Sequence, residues 1–148
     1  MSFDDLKSEN IQDDIKKKLT YIFDKMYQYS DIILTQHFSQ FFENNYSFLI
    51  LSTYDISNRE IIGCIVYQNF DDYIVIYHCI ANIIFNITQI ISELLSKLKK
   101  IYPKKIYIIF NPEVKKFYNF IYTYFKDIPV NLTTYNNSSK LSVCYVLR

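Results

Sequence analysis

The chain has 148 residues and a formal net charge of +1, from 16 basic and 15 acidic residues. Half of its residues are hydrophobic and 18% are aromatic, which excludes a disordered chain. A chain of this length buries about 70% of its unfolded surface, so we expect a single domain over residues 1–148 that needs neither disulfides nor metal. The balanced charge excludes a whole-protein field that would attract nucleic acid or an acidic membrane.

The composition is strongly biased. There is one Gly (Gly63), one Ala (Ala81), no Trp and only two Arg, whereas Ile, Tyr, Asn, Phe and Lys are abundant. We interpret this bias as that of an AT-rich genome, such as that of a large DNA virus, an apicomplexan or a low-GC bacterium. Three cysteines without paired spacing, and an N-terminus without a signal-peptide pattern, predict free thiols and a cytoplasmic protein.

Two helices are predicted at the start of the chain. The first has Ser8 as its N-cap and an apolar stripe at three- and four-residue steps, formed by Ile11, Ile15, Leu19, Ile22, Phe23 and Met26. Residues 16–18 are three lysines, which we interpret as a solvated face because aspartates surround them. A second helix begins at Ser30 or Asp31 and ends near Asn44.

Three strand-like runs follow, at residues 46–53, 60–68 and 73–81. β-Branched and aromatic residues fill these runs and short polar turns separate them, which predicts an antiparallel meander. The third run is nearly all apolar, as expected of a central strand that is covered on both faces.

Helices and strands alternate in the second half. Apolar residues at helical spacing predict a helix over residues 87–98, stopped by Pro103, and a short buried strand follows at 105–110. The order Asn-Pro-Glu at 111–113 predicts the start of another helix. Two last strands are predicted at 130–135 and 141–147. The prediction is an α/β fold with a mixed sheet of six or seven strands and about four helices.

Three local stretches carry a resemblance to a known family. Residues 61–66 (Ile-Ile-Gly-Cys-Ile-Val) are similar to a strand that enters with a hydrophobic pair and a Gly. In residues 111–119 an Asn after a strand precedes a helix with Phe-Tyr, and Tyr124-Phe125 stand where the family has Gly-Phe. With the element order, these stretches resemble the GCN5-related N-acetyltransferase (GNAT) superfamily over residues 9–148, and residues 1–6 are the only candidate for its first strand. The resemblance implies a GNAT-like fold and acetyl transfer from acetyl-CoA to an amine.

The loop that holds the pyrophosphate of acetyl-CoA in this family departs from the family pattern. The family has Gln/Arg-x-x-Gly-x-Gly/Ala before a helix, whose N–H groups and dipole attract phosphate. Here Ile83 stands at the Gln/Arg position, Asn86 at the first Gly and Thr88 at the second. Asn86 could keep part of the turn, because Asn tolerates left-handed backbone, and the Thr88 hydroxyl could donate to a phosphate. The loop contains no Lys or Arg.

The resemblance also implies roles for individual residues. Tyr118, in the Phe-Tyr pair, would be the general acid that protonates the departing thiolate. His78 could take a proton from the amine through water, since its ordinary pKa of about 6.5 suits a base near neutrality. The structural alternatives are a core aromatic for Tyr118 and a packed histidine for His78. The residues implied to contact the cofactor, partly through their main chain, are Cys79, Ile80, Ala81, Asn86, Ile87, Thr88 and Asn111.

Two functional hypotheses remain open. The first is a divergent GNAT-like N-acyltransferase that uses acetyl-CoA and an unidentified small-molecule or protein amine. The second is a catalytically inactive GNAT-like module, viral or parasitic, that binds a protein partner. An enzyme needs an open cleft where the fourth and fifth strands separate, whereas a binding module needs an exposed apolar patch. We expect no metal, membrane or nucleic-acid partner, since the two His lack metal-ligand spacing and the aromatics are not interleaved with basic residues.

Overall fold

The computed structural model describes residues 1–27, 38–53, 59–110, 133–134 and 143–147. Its strands are β1 (Ser2–Lys7), β2 (Ser47–Ser52), β3 (Ile61–Asn69), β4 (Tyr73–Ala81), β5 (Lys105–Phe110), β6 (Thr133–Thr134) and β7 (Val143–Leu147). Its helices are a 3-10 turn (Ser8–Asn10), α1 (Asp13–Tyr27), α2 (Gln40–Glu43) and α3 (Ile87–Ile101).

All of these strands belong to one mixed sheet. The seven strands are ordered β1-β2-β3-β4-β5-β7-β6, with β4 and β5 parallel and every other pair antiparallel. The α/β fold with six or seven strands is therefore confirmed. Residues 1–6 were the only candidate for the first strand, and β1 forms there. β4 and β5 begin and end at the predicted residues, because their apolar, β-branched runs stop at polar turns.

Helices α1 and α3 cover opposite faces of the sheet. A Cβ added to Gly63 of β3 would contact side chains of α3. His78 of β4 pairs with Val66 of β3, and its ring contacts Phe23 of α1. Residues 63 and 66 lie on opposite faces, since successive residues of a strand alternate. The buried residues of α3 are Ile90, Ile91, Leu94, Leu95 and Leu98, which are the stripe that the helical spacing predicts.

The first helix begins later than predicted. Ser8 does not cap α1: it is buried in the 3-10 turn, its N–H donates to the Tyr46 carbonyl, and its hydroxyl donates to the Asn44 carbonyl. These partners are distant in sequence, so local capping rules could not identify them. The predicted beginning of the second helix and the predicted helix after Asn111 lie outside the described residues. The predicted end of the second helix near Asn44 is confirmed.

Candidate functional site

The candidate site lies where β4 and β5 separate. The two strands pair from Tyr73↔Lys105 to Ile76↔Ile108, after which β5 continues beside β7 and β4 continues beside β3. The main-chain groups of a strand point alternately to its two neighbours. Some of the N–H and C=O groups of residues 77–81 therefore point to the edge of β4 along which β5 no longer pairs with it.

A bulge in β4 marks the point of separation. Val66 of β3 pairs with His78, but the next residue, Tyr67, pairs with Ile76, so Tyr77 is an extra residue in β4. A bulge bends its strand and increases the local twist. The bulge at Tyr77 thus turns the end of β4 at the residue where pairing with β5 stops.

The loop after β4 leads directly to the N-terminus of α3. The Asn82 main chain donates to the Ile62 carbonyl, and its side-chain oxygen accepts from the Ile84 N–H at 3.3 Å. Asn86 is the N-cap of α3, and its Oδ1 accepts from the Gln89 N–H at 3.2 Å. The φ of Asn86 is −73°, so the expectation that Asn86 supplies left-handed backbone is wrong: the residue caps the helix instead.

The first turn of α3 has free donors. Among the described residues, nothing accepts from the N–H groups of Ile87 and Thr88, as is usual for the first residues of a helix. The helix dipole adds partial positive charge at the same point. The chain thus has a main-chain feature that can bind an anion, although the loop contains no glycine.

The same loop exposes three apolar side chains. Ile83, Ile84 and Phe85 have 48%, 70% and 37% of their surface exposed. In a loop, such consecutive apolar residues are a candidate contact for a ligand or a protein.

His78 lies on the α1 face of β4 in an aromatic environment. Its ring makes edge contacts with Phe23, Phe38 and Phe41, at centroid distances of 5.4, 6.2 and 5.0 Å. Its Nδ1 is buried and has no hydrogen-bond partner among the described residues. Burial lowers the pKa of His78 to about 4, which argues against a base near neutrality, and the catalytic role of His78 stays a prediction.

Two cysteines, Cys64 and Cys79, lie in the core of the described part of the chain. Cys64 and Cys79 are buried free thiols, and burial raises the pKa of Cys79 to about 12, which keeps it protonated. Ile80 and Ala81 are also fully buried, so only the main chain of residues 79–81 is available to a ligand. Tyr118 and Asn111 lie outside the described residues, and their roles stay predictions.

A basic depression lies beside the first residue of the β4–α3 loop. Its volume is about 480 Å³, and it is lined by Lys17, Lys18, Tyr21, Ile22, Arg59, Glu60, Ile61 and Asn82. Sequence reasoning missed this feature, because the lysine run on α1 was interpreted as a solvated face. That interpretation fits Lys16, which pairs with Asp13 at 3.8 Å, and the exposed Lys17 and Lys18, but the lysine run gives no sign that Lys17 and Lys18 line a depression with Arg59.

Neither a metal centre nor a membrane span emerges from the part of the chain that the structure describes. No group of three or more His, Cys, Asp or Glu in it could hold a metal ion. None of its helices combines the length and hydropathy that a membrane span requires.

Comparison with known proteins identifies the fold. No protein-family model and no curated protein sequence matches the chain. Among solved structures, Tetrahymena GCN5 aligns with a TM-score of 0.68 and 13% identity over 98% of this chain and 96% of that one. PaiA N-acetyltransferase from Thermoplasma acidophilum, in complex with coenzyme A, aligns with a TM-score of 0.62 and 14% identity over 99% and 98%. An acyl-CoA N-acyltransferase from Pseudomonas aeruginosa aligns with a TM-score of 0.60 and 6% identity over 99% of both chains.

Proposed function

We propose that this chain, which has the fold of the GCN5-related N-acetyltransferases, is a divergent acyl-CoA-dependent N-acyltransferase. The observation that carries the proposal is the separation of β4 from β5 immediately before the open N-terminus of α3. This arrangement offers main-chain groups along one edge of a strand and anion-binding N–H groups at its end.

The described residues fit an acyl-CoA. Its extended pantetheine arm would pair with the main chain of Cys79, Ile80 and Ala81, as a peptide pairs with an exposed strand. Its pyrophosphate would accept from the N–H groups of Ile87 and Thr88, with Asn86 holding the first turn of the helix. The absent glycines do not remove these contacts, because main chain makes them.

When bound, acetyl-CoA supplies an acyl group activated as a thioester: attack by an amine nitrogen forms the C–N bond, breaks the C–S bond and releases coenzyme A. The chain must hold the acyl group beside the amine. One proton must leave the amine nitrogen, and one must reach the departing sulfur. The low pKa of His78 makes it a poor acceptor for the amine proton, so we assign that proton to water. Tyr118 remains the predicted donor to the departing sulfur.

Calorimetric unfolding with and without acetyl-CoA tests the proposal, and calorimetry suits a chain that has no Trp. Acetyl-CoA at about 100 times its Kd adds roughly 2.7 kcal/mol to the free energy of unfolding, which raises the Tm by about 5–10 °C. A saturable shift that coenzyme A also gives supports the proposal, and the kinetics of Tyr118→Phe would follow. An unchanged Tm at millimolar acetyl-CoA would overturn it.

A second candidate function rests on the exposed loop residues Ile83, Ile84 and Phe85. An inactive GNAT-like module that binds a protein partner would use such a patch and would need no acetyl-CoA. The substitution Ile84→Ser distinguishes the two candidates. It should leave the fold intact, because a side chain that is 70% exposed contributes little to folding. For the module, the substitution weakens partner binding and acetyl-CoA leaves the Tm unchanged. For the enzyme, acetyl-CoA raises the Tm of both forms.

A further inference from the structure

We infer that a cavity between α1 and the first strands of the sheet binds a free α-amino acid with an aliphatic side chain. The cavity has a volume of about 530 Å³ and is formed by β1, residues 10–18, the end of β2 and residues 59–61. None of the described residues of β4, of the loop after it or of β5 lines the cavity. The site is therefore separate from the proposed acyl-CoA site, and the inference goes beyond the proposed function.

One buried hydroxyl faces the cavity without a partner. Ser52 ends β2 and is only 3% exposed, and its Oγ has no hydrogen-bond partner among the described residues. Ile50 lies on the same face of β2 as Ser52, because side chains alternate along a strand, and both residues belong to the lining. A buried hydroxyl without a partner destabilises the fold, and a ligand that hydrogen-bonds to it removes that cost.

The charged lining of the cavity is balanced. Two carboxylates, of Asp4 and Asp14, and two cations, of Lys18 and Arg59, line it. Arg59 Nη1 lies 3.4 Å from Asp4 Oδ2, so these two charges compensate each other. Asp14 and Lys18 are four residues apart on one face of α1, and neither forms an ion pair within the described part of the chain. One negative and one positive group are thus available to a ligand.

These two groups match the two charges of an amino acid. Lys18 Nζ donates to the Arg59 carbonyl at 3.0 Å, which uses one of its three N–H groups and leaves two for a carboxylate. The Asp14 carboxylate would accept from the ammonium group of the ligand, and the Ser52 hydroxyl would donate to the ligand carboxylate. Charge-assisted hydrogen bonds of this kind are stronger than neutral ones. A simple cation or a simple anion would leave one of the two protein charges without a partner.

The apolar part of the lining favours an aliphatic side chain. Ile50 and Ile61 are buried and Leu6 and Ile15 are half-buried, and all four line the cavity. They form an aliphatic surface beside the charged groups, and covering this surface with a hydrocarbon side chain is favourable. The combination of an aliphatic surface with one free charge of each sign describes an aliphatic amino acid.

Titration calorimetry of the whole chain with L-leucine tests the inference. Isoamylamine, which lacks the carboxylate, and isocaproate, which lacks the ammonium group, are the matched probes. We expect saturable binding of L-leucine and a Kd at least about tenfold higher for each of the two probes, because each probe loses charge-assisted hydrogen bonds. Absence of L-leucine binding would overturn the inference, as would equal Kd values for L-leucine and either probe.

Three variants assign the binding to the cavity. Ser52→Ala should raise the Kd of L-leucine about three- to tenfold without lowering the Tm, because the Oγ has no partner among the described residues to lose. Asp14→Asn should raise the Kd about tenfold, because it removes the charge that faces the ligand ammonium group. Asp13→Asn, in the same first turn of α1 but outside the lining, is the matched control and should keep the wild-type Kd.

The outcomes separate this inference from the proposed function. Wild-type Kd values in both Ser52→Ala and Asp14→Asn would show that L-leucine binds elsewhere, and equal effects of Asp13→Asn and Asp14→Asn would show a response to overall charge; either result contradicts the inference. A Tm shift with acetyl-CoA but no L-leucine binding overturns only this inference. L-Leucine binding without a Tm shift in acetyl-CoA overturns only the acyltransferase proposal. Asp13 and Asp14 are exposed, so both variants should unfold as the wild type does.

Discussion

At the scale of single residues, the surroundings of His78 decide its chemistry. In water an imidazole with a pKa of about 6.5 is a capable base near neutrality. Here three phenylalanine rings contact the imidazole, and its Nδ1 is buried without a hydrogen-bond partner among the described residues. Desolvation disfavours the charged form and lowers the pKa to about 4. The neutral ring therefore packs as an aromatic side chain at physiological pH.

This environment predicts a pH dependence of stability. Between pH 6.5 and 4 the unfolded chain binds a proton at His78 that the folded chain does not, so stability falls as the pH falls through this window. The total loss at this site is on the order of 3 kcal/mol. His78→Phe keeps an aromatic ring and removes the titration. Urea unfolding at several pH values between 7.5 and 4.5 should show a smaller loss for His78→Phe than for wild type, and parallel curves would contradict the assignment.

At the scale of elements, the packing of α3 on the sheet depends on Gly63, a residue without a side chain. A Cβ on Gly63 would lie 2.6 Å from Ile90 Cγ2, 2.9 Å from the Ile80 carbonyl oxygen and 3.1 Å from Leu94 Cδ1. The first and third of these atoms belong to side chains that can move, but the second belongs to the main chain of β4. Close approach of α3 and of the Ile80 carbonyl of β4, rather than the backbone conformation of Gly63, therefore explains why the single glycine of the chain stands in β3.

Gly63→Ala should destabilise the fold by about 1–3 kcal/mol, because it overpacks the contact between β3 and α3. At this chain length the Tm should fall by several degrees. Calorimetry measures this fall, and Gly63→Ala/Ile90→Ala serves as the control that removes the closest side-chain contact. The double variant should lose less than the sum of the two single losses. Strict additivity would show that Ile90 does not oppose the added Cβ, and an unchanged Tm of Gly63→Ala would show that the space is not needed.

Elements with regular patterns could be predicted, and elements fixed by distant contacts could not. β4, β5 and α3 follow from runs and stripes that are complete within their own residues. β1 has a mostly polar sequence and forms because each of its residues pairs with a residue of β2, from Ser2↔Ser52 to Lys7↔Ser47, far away in the sequence. The 3-10 turn at Ser8 likewise depends on Asn44 and Tyr46. Local periodicity contains no information about these partners.

At the scale of the whole molecule, a hydrogen-bond network joins β1, β3 and the end of α3. The Tyr67 hydroxyl donates to Asp5, and the Tyr102 hydroxyl donates to the other carboxylate oxygen of Asp5 at 3.0 Å. The two hydroxyls lie 3.3 Å apart. Burial and the bond to Asp5 raise the pKa of Tyr67, so its hydroxyl remains a donor throughout the neutral range. The network links three segments that are distant in sequence.

Tyr67→Phe should lower the free energy of unfolding by about 1 kcal/mol, because Asp5 is exposed and can replace the lost donor with water. Tyr102→Phe should cost less, since its hydroxyl is more accessible. Urea unfolding of both single variants and the double variant measures the coupling. A double variant with a loss that differs from the sum would demonstrate one network, whereas independent losses would contradict it.

The sequence by itself determined strands β2 to β5 and the helical stripes of α1 and α3, because hydrophobic periodicity and turns are local properties. The resemblance of three stretches and of the element order pointed to the GNAT-like fold. The sequence also indicated a loop without glycine or cations before α3. Only the tertiary structure decided that Asn86 caps the helix, that His78 is desolvated, and that Lys17 and Lys18 of α1 meet Arg59 beside Asn82. Charge, solvation and strand separation depend on groups brought together from distant positions, and for that reason the geometry and electrostatics of the candidate site could be established only in the folded chain.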